Sequence, residues 1–302
     1  MKRYPNLFLV GAPKCGTTSM AYYLGQHPDI FAPVWKEPMF FGVDFTRHNT
    51  SRSETDYLSL FEKWQNERYA LDASTNYFYS RTAAKEIFDS APEARILIMV
   101  RNPINATYSM FFENRFGGVE PIARFEDALA AEEERTKRGC PPARGSLEQL
   151  LYSRIYAYTS NIYRYRSIFG PKRVTVLVLD DFKRDARKEF IKVSDMLGLD
   201  GSCANTIDFS IKNAAKGALS RRLGVFAASP PGWAGRLTGR FLSKAQRLKI
   251  RNMIAQINTI PSDNPPMNPE TRRLLAQKFA PEVERLSALL DRDLTHWLQV
   301  DE

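Results

Sequence analysis

The chain has 302 residues, of which 43% are hydrophobic, so it can bury a substantial core within one large domain. Its 43 Lys and Arg exceed its 34 Asp and Glu, and the formal net charge of +9 favours anionic partners such as phosphates, sulfates, nucleic acid or acidic lipid. Three scattered cysteines without CxxC spacing argue against a disulfide framework and a zinc site. Because no apolar stretch reaches the length of a signal peptide or a membrane span, we expect a cytoplasmic protein with no transmembrane segment.

Strand and helix patterns alternate along the chain. Short apolar runs rich in branched residues predict buried parallel strands near 7–11, 94–101 and 173–182, with a weaker candidate near 68–74. The helices predicted from apolar spacing are 17–26, 54–64, 103–114, 124–138, 147–169, 184–197, 244–256 and 270–291. This alternation predicts an α/β fold, a single domain over 1–302 in which helices flank a parallel sheet.

The helix over 147–169 carries signals at both ends. Ser146, followed by Gln149 three residues later, forms a capping-box pattern at its start. Gly170 and Pro171 form a stop at its end.

The segment GAPKCGTT, Gly11 to Thr18, has the G-x-x-x-x-G spacing of a phosphate-binding loop and follows a strand at the start of a helix. Nucleotide triphosphatases place a lysine directly after the second glycine, where this chain has Thr17. Its lysine, Lys14, lies in mid-loop, beside the position of a bound phosphate, and would neutralise charge on a departing phosphate oxygen. The Thr17 and Thr18 hydroxyls would bind phosphate without a metal. These features indicate a P-loop-type fold without ordinary ATP hydrolysis.

A second candidate phosphate contact follows the predicted strand at 94–101. Arg101 leaves the carboxyl end of that strand, where ligands of open parallel sheets bind, and Ser109 lies within the helix that begins at Pro103. The guanidinium offers a two-pronged grip and the serine one further donor to the same phosphate.

The two motifs together resemble those of sulfotransferases that use 3′-phosphoadenosine 5′-phosphosulfate (PAPS). VGAPKCGTTSMAYYLGQHP, 10–28, is similar to the 5′-phosphosulfate loop of that family, and VRNPINATYSMF, 100–111, to its 3′-phosphate motif. The resemblance implies PAPS as the sulfonate donor, with no metal. The donor-binding residues that it implies are Lys14, Cys15, Gly16, Thr17, Thr18, Ser19, Arg101 and Ser109.

KEPMFF, 36–41, resembles the K-E-x-x-F-F segment of the family, whose glutamate acts as the base in relatives that modify carbohydrates. The resemblance implies that Glu37 takes the proton of the acceptor while Lys14 stabilises the leaving group. Lys36 is either a sulfonyl contact or a solvated side chain, and His48 is the runner-up base.

The segment LDASTNYFY, 71–79, departs from those relatives, because Ala73 stands where they have a functional lysine. Asp72 occupies the preceding acidic position. It is either a second acceptor-side carboxylate or a structural acid that holds the phosphate loop or an arginine.

A basic flap-like segment follows at about 217–251, rich in Lys and Arg and interrupted by Pro-Pro-Gly. It is a flap over an anionic site, a patch for weak membrane-surface contact or a solvated basic face. The family closes a basic, glycine-containing stretch over the 3′-phosphate, and the resemblance places Lys216 and Gly217 in that role.

The function predicted is in-line transfer of a sulfonyl group from PAPS to a hydroxyl or amine of a carbohydrate or small-molecule acceptor. The alternatives are a P-loop kinase of a small metabolite and a non-enzymatic anion-binding protein. A nucleic-acid partner is not expected, because the sequence has no pattern of interleaved aromatic and basic residues for base stacking.

Overall fold

The computed structural model describes residues 2–34, 36–45, 53–143, 145–210 and 264–300, and the backbone of two strands at 216–218 and 259–261. The strands are β1 (Leu7–Gly11), β2 (Ile30–Phe31), β3 (Tyr69–Asp72), β4 (Arg95–Val100), β5 (Val174–Val178), β6 (Lys216–Ala218) and β7 (Thr259–Pro261). The α-helices are α1 (Thr17–Leu24), α2 (Glu54–Ser59), α3 (Ala83–Ser90), α4 (Pro103–Phe116), α5 (Phe125–Ala130), α6 (Glu132–Arg138), α7 (Tyr152–Ile155), α8 (Tyr158–Phe169), α9 (Leu179–Arg184), α10 (Ala186–Leu197) and α11 (Pro269–Leu290). Short 3₁₀ helices lie at Thr75–Tyr79, Leu147–Leu150, Pro171–Arg173, Gly201–Asn205 and Thr295–Leu298.

The first five strands form one parallel sheet in the order β2-β3-β1-β4-β5. Every residue of β1 and β3 is buried, because helices cover both faces of the sheet. The predicted α/β fold class with a P-loop-type parallel sheet is confirmed. Parallel strands bring all their carboxyl ends to one edge, so the segments that follow Gly11, Asp72 and Val100 meet there. Among the described residues, no helix combines the length and apolar composition needed to cross a bilayer.

Several predicted boundaries differ from the structure. The strand predicted over 173–182 ends at Val178, and α9 begins at once, with Asp180 and Asp181 in its first turn, where carboxylates suit the positive end of a helix. The helix predicted over 54–64 ends at Ser59, and that over 124–138 divides into α5 and α6. Strand β2 and helix α3 were not predicted, and 244–256 lies outside the described residues.

The continuous helix predicted over 147–169 is wrong. The capping box is present, with Ser146 N–H donating to Gln149 Oε1 at 2.9 Å, but a 3₁₀ turn, α7 and α8 replace the single helix. Tyr156 and Tyr158 are both fully buried, although residues two apart in an α-helix point in nearly opposite directions. The break between α7 and α8 lets both side chains turn inward, and their tertiary contacts override the helical periodicity.

The C-terminal segment anchors the start of α4. The Asn102 side chain caps α4 by accepting from Ile104 N–H at 2.9 Å, and its Nδ2 donates to the Trp297 carbonyl at 2.8 Å. The indole of Trp297 donates to Asp180 Oδ2 at 2.6 Å. The residue after Arg101 is therefore tied both to the last turn of the chain and, through it, to α9.

Candidate active site

The loop from Gly11 to Thr18 connects β1 to α1, and it needs both of its glycines, Gly11 chiefly for space and Gly16 chiefly for its backbone conformation. A Cβ on Gly11 would stand 2.5 Å from Phe78 Cβ, and one on Gly16 would stand 2.6 Å from Leu179 Cδ1. Gly16, at φ 87°, is also left-handed where it caps α1. The loop therefore lies tightly on the sheet with its backbone turned around the N-terminus of α1, which fits a phosphate group held by N–H donors.

Burial alternates from Lys14 to Ser19. Lys14, Gly16 and Thr18 are half-buried, whereas Cys15, Thr17 and Ser19 are buried. Lys14 has φ 62°, a left-handed conformation uncommon for a residue with a side chain and typical of functional loops. Of the side chains predicted to bind the donor here, those of Lys14 and Thr18 are the more accessible.

The side chain of Cys15 does not line the crevice. Its thiol lies 3.5 Å from the Tyr158 hydroxyl, and its N–H donates to the Ala12 carbonyl at 3.3 Å. Burial raises the pKa of this thiol to about 12, so it stays neutral. The Cys15 side chain therefore supports the loop from beneath, and the prediction that Cys15 contacts the donor applies to its backbone.

Arg101 brings the second motif against the first. Its Nη1 donates to the Lys14 carbonyl at 3.0 Å, while its own carbonyl accepts from the Tyr158 hydroxyl at 2.8 Å. Tyr156 adds a second link, since its hydroxyl contacts the carbonyls of Pro13 at 3.3 Å and Ala106 at 3.0 Å. Two buried tyrosines therefore fix the loop and the start of α4 in one arrangement.

Helix α4 places Ser109 and Glu113 one turn apart, so both lie on the same side of the helix. Glu113 Oε2 accepts from Lys14 Nζ at 2.8 Å, and the Lys14 side chain is only 22% exposed. The lysine therefore lies over the crevice beside α4, and the side of α4 that carries Ser109 faces the loop.

In the folded chain, a single residue, Thr75, lies between Glu37 and the phosphate-binding loop. Its Oε1 accepts from Lys36 Nζ at 2.9 Å and from the Thr75 hydroxyl at 3.1 Å. The Thr75 carbonyl oxygen in turn stands 2.7 Å from where a Cβ on Gly11 would be. Thr75 thus lies between the glutamate and the start of the loop, and Glu37, which is partly exposed, faces the same edge of the sheet as Lys14.

Asp72 is fully buried at the end of β3. In the described part of the chain its hydrogen-bond donors are the hydroxyls of Tyr57 at 2.8 Å, Ser74 at 2.6 Å and Tyr77 at 3.1 Å. The expectation of an arginine or phosphate-loop partner was wrong, because this carboxylate faces hydroxyls. Burial raises the pKa of Asp72 to about 6, against the opposing effect of the three hydroxyls.

A family model described as "Sulfotransferase domain" matches residues 4–221. The chain belongs to the sulfotransferase family. As a member it is a transferase, and the resemblance seen in its motifs is confirmed.

A solved structure titled as a sulfotransferase from Alicyclobacillus acidocaldarius is similar over 98% of this sulfotransferase and 100% of that chain, with a TM-score of 0.71 and 29% identity. The human bifunctional heparan sulfate N-deacetylase/N-sulfotransferase 1 is 27% identical over 213 residues, covering 68% of this chain and 23% of that protein. The human heparan sulfate glucosamine 3-O-sulfotransferase 6 is 29% identical over 108 residues, covering 36% of this chain and 30% of that protein. The chain therefore spans less than a third of these two curated relatives.

The other residues singled out in the sequence of this sulfotransferase either lie on other elements or fall outside the described residues. His48 and most of 217–251 lie outside the described residues. The backbone of β6, with Lys216 and Gly217, pairs antiparallel with β7 and lies beside α4. His27 is buried, with its ring nitrogens against Asp29 N–H and the Asp200 carbonyl, and is structural. Within the described ranges, no group of three His, Cys, Asp or Glu side chains is arranged to hold a metal ion.

Sequence reasoning missed four residues that shape the site: Thr75, Glu113, Tyr156 and Tyr158. Glu113 carried a usable signal, since it follows Ser109 by one helical turn. The two tyrosines carried none, because the helical spacing around them predicted a different backbone.

Proposed function

We propose that this sulfotransferase moves a sulfonyl group from PAPS to a hydroxyl or amine of a carbohydrate or small-molecule acceptor by in-line transfer. The observation that carries the proposal is the contact between the two motifs, in which the Arg101 guanidinium donates to the Lys14 carbonyl at 3.0 Å. A phosphate-binding loop and a second cationic group thus lie within one hydrogen bond of each other. A donor with a 5′-phosphosulfate and a 3′-phosphate matches such a pair.

Each donor phosphate has its own set of residues in this proposal. The loop around Gly16 and the N-terminus of α1 hold the phosphate that bears sulfate, with Thr18 as a side-chain donor. Arg101 and Ser109 hold the 3′-phosphate, and Lys216 and Gly217 close over it from β6. PAPS supplies the sulfonyl group, already attached to a phosphate leaving group.

Lys14 and Glu37 supply the chemistry. Glu37 accepts the proton of the acceptor, because an alcohol or amine attacks well only as its proton is removed. Lys14 exchanges Glu113 for the leaving phosphate oxygen and stabilises its developing charge. Thr75 links the Glu37 side chain to Gly11, at the start of the loop that carries Lys14, and this arrangement suits two groups that act on the same transfer.

The activities for which the curated relatives are named direct the choice of acceptor. One carries a heparan sulfate N-sulfotransferase name and another a glucosamine 3-O-sulfotransferase name. A glucosamine-containing oligosaccharide with free amino and hydroxyl groups is therefore the first acceptor to test, with p-nitrophenol as a small-molecule alternative.

Calorimetric titrations with 3′-phosphoadenosine 5′-phosphate (PAP) and with ATP, each in EDTA and again with Mg²⁺ at fixed salt, test the donor. We expect PAP to bind without Mg²⁺ and ATP to give no response. Incubation with ³⁵S-labelled PAPS and both acceptors then tests transfer. Binding of ATP only with Mg²⁺ would favour the kinase, and salt-dependent heparin binding without transfer would favour an anion-binding protein.

A further inference from the structure

A carboxylate with three hydroxyl donors lies beneath the segment that carries Glu37. Asp72 Oδ2 accepts from the hydroxyls of Tyr57 and Tyr77, and Oδ1 accepts from Ser74. We call these four residues the Asp72 cluster. Tyr57, Asp72, Ser74 and Tyr77 are each essentially inaccessible to solvent, so no water competes for the carboxylate.

Two of these hydroxyls also hold the backbone that follows Glu37. Ser74 Oγ accepts from Met39 N–H at 3.0 Å. The Tyr77 hydroxyl accepts from Phe40 N–H at 2.8 Å and from Phe41 N–H at 3.3 Å. A hydroxyl donates one proton and accepts at its lone pairs, so donation to the buried carboxylate turns those lone pairs toward the backbone.

The next amide in the segment is held as well, because Glu86 on α3 accepts from Gly42 N–H at 2.8 Å. Four consecutive backbone donors from Met39 to Gly42 are therefore satisfied by side chains of other elements. The segment has no helix or strand of its own to impose its shape.

The segment needs such support because it is strained. Glu37 at φ 58° and Met39 at φ 50° both have left-handed backbone, which is unfavourable for residues with side chains. Such conformations persist only where the surrounding structure over-determines them. The amides that donate to Ser74 and Tyr77 belong to residues within four positions of Glu37. These hydrogen bonds supply that constraint.

We infer that Asp72 is the positioning residue for Glu37: it orients the Ser74 and Tyr77 hydroxyls, which fix the segment that presents Glu37 to the acceptor. This inference rests on the proposed role of Glu37 as the base. Asp72 itself does not touch the acceptor, because it is buried below the segment. The titratable groups that act on it are the two tyrosines and Glu37, whose charge also raises the pKa of Asp72.

Two chemically identical substitutions, Tyr77→Phe and Tyr57→Phe, separate positioning from general stability. Each removes one buried hydroxyl that donates to Asp72 Oδ2, and each retains a ring that packs against Phe41. Only the Tyr77 hydroxyl also accepts from the backbone after Glu37. The readouts are kcat and KM with ³⁵S-PAPS and the glucosamine oligosaccharide, Kd for PAP, Tm, and amide hydrogen exchange of 37–42.

We expect Tyr77→Phe to lower kcat about 10- to 100-fold, as a small displacement of a reacting group does, with Kd for PAP unchanged. Exchange of the 37–42 amides should quicken in Tyr77→Phe and not in Tyr57→Phe. Asp72→Asn should reproduce the kcat loss, because an amide has a single acceptor oxygen for three donors.

Equal losses of kcat and equal exchange in the two tyrosine variants would overturn the inference and leave the cluster a structural role. If Asp72→Asn does not fold, the comparison of Tyr77→Phe with Tyr57→Phe still tests the inference. If the unmodified chain transfers nothing from PAPS, the proposed function fails, whereas the exchange data still report whether the cluster fixes the Glu37 segment.

Discussion

The donor side and the acceptor side of the candidate site are held in different ways. The donor side, residues 11–18 with the start of α4, takes its shape from a Gly11 that leaves no room for a Cβ, a left-handed Gly16 and the N-termini of α1 and of the capped α4. The acceptor side, residues 36–45, has no regular structure of its own. Its backbone amides donate to side chains 35 to 44 residues away in the sequence.

This difference means that the two sides are separable by mutation. Donor-side changes alter the groups that we propose to contact phosphate directly. Acceptor-side changes can act through buried hydroxyls without touching the donor pocket. Five substitutions test whether the two sides act independently.

Glu37→Gln should have the largest effect, because it removes the proposed base. We expect kcat to fall by about 10²–10⁴, the range typical of a lost general base. Kd for PAP should not change, since the donor is held elsewhere. Steady-state kinetics and calorimetry measure both, with the exposed Glu93→Gln as control. A large loss of PAP affinity in Glu37→Gln would show that the two sides do not act independently.

Lys14→Ala should lower kcat by about 10²–10³ while the protein stays folded, because one donor to the developing charge is lost. Lys85→Ala, which removes an exposed lysine from an ion pair on α3, is the matched control. Circular dichroism checks folding and the ³⁵S assay measures turnover. Near-normal turnover in Lys14→Ala would reject its role at the leaving group.

Asp72 should give the free energy of unfolding an unusual pH dependence. Its pKa is raised to about 6 from 3.8, so between these values the folded chain binds a proton that the unfolded chain releases. The contribution of Asp72 to the free energy of unfolding should therefore decrease as pH rises from 4 to 6, by on the order of 3 kcal/mol. Urea unfolding compared with Asp72→Asn at each pH measures this, and a constant difference between the two chains would contradict it.

Arg101→Ala should weaken PAP binding about 10- to 100-fold, the equivalent of one or two charged hydrogen bonds. Arg95→Ala, at the opposite end of the same strand, should leave binding unchanged. Calorimetry in EDTA compares the two. Equal Kd values for PAP in Arg101→Ala and Arg95→Ala would show that Arg101 does not bind the donor.

Glu113→Gln should have the smallest effect. It removes a partly exposed counter-charge from Lys14, and pairs of this kind contribute little, so PAP should bind only about two- to fivefold more tightly. Glu133→Gln, from an exposed pair on α6, serves as control. Weaker PAP binding in Glu113→Gln would mean that the carboxylate orients the lysine for phosphate instead of competing with it.

The elements predicted correctly are those whose signals are local. The loop, its glycines, the start of α4 at Pro103 and the longer strands of the core depend on neighbours within about one helical turn or one strand. The break at Tyr156 and the α3 helix were not predictable in this way. In the first, contacts with Pro13 and Ala106 override a regular helical pattern. The second is only eight residues long, and two of its three buried residues are alanines, so its apolar face is a weak signal in the sequence.

The sequence by itself determined that a strand of a parallel sheet ends in a glycine-containing loop with Lys14 in mid-loop, and it placed Arg101 at the end of a neighbouring strand. A glycine spacing and a strand-to-helix junction are properties of the chain over a few residues, so they can be recognised without a structure. Only the tertiary structure decided what holds Glu37 and what Asp72 contacts. The Ser74 and Tyr77 hydroxyls lie within five residues of Asp72, but they meet the Met39–Phe41 backbone, 35 to 37 residues away, only when the chain folds, and burial then gives those contacts their strength.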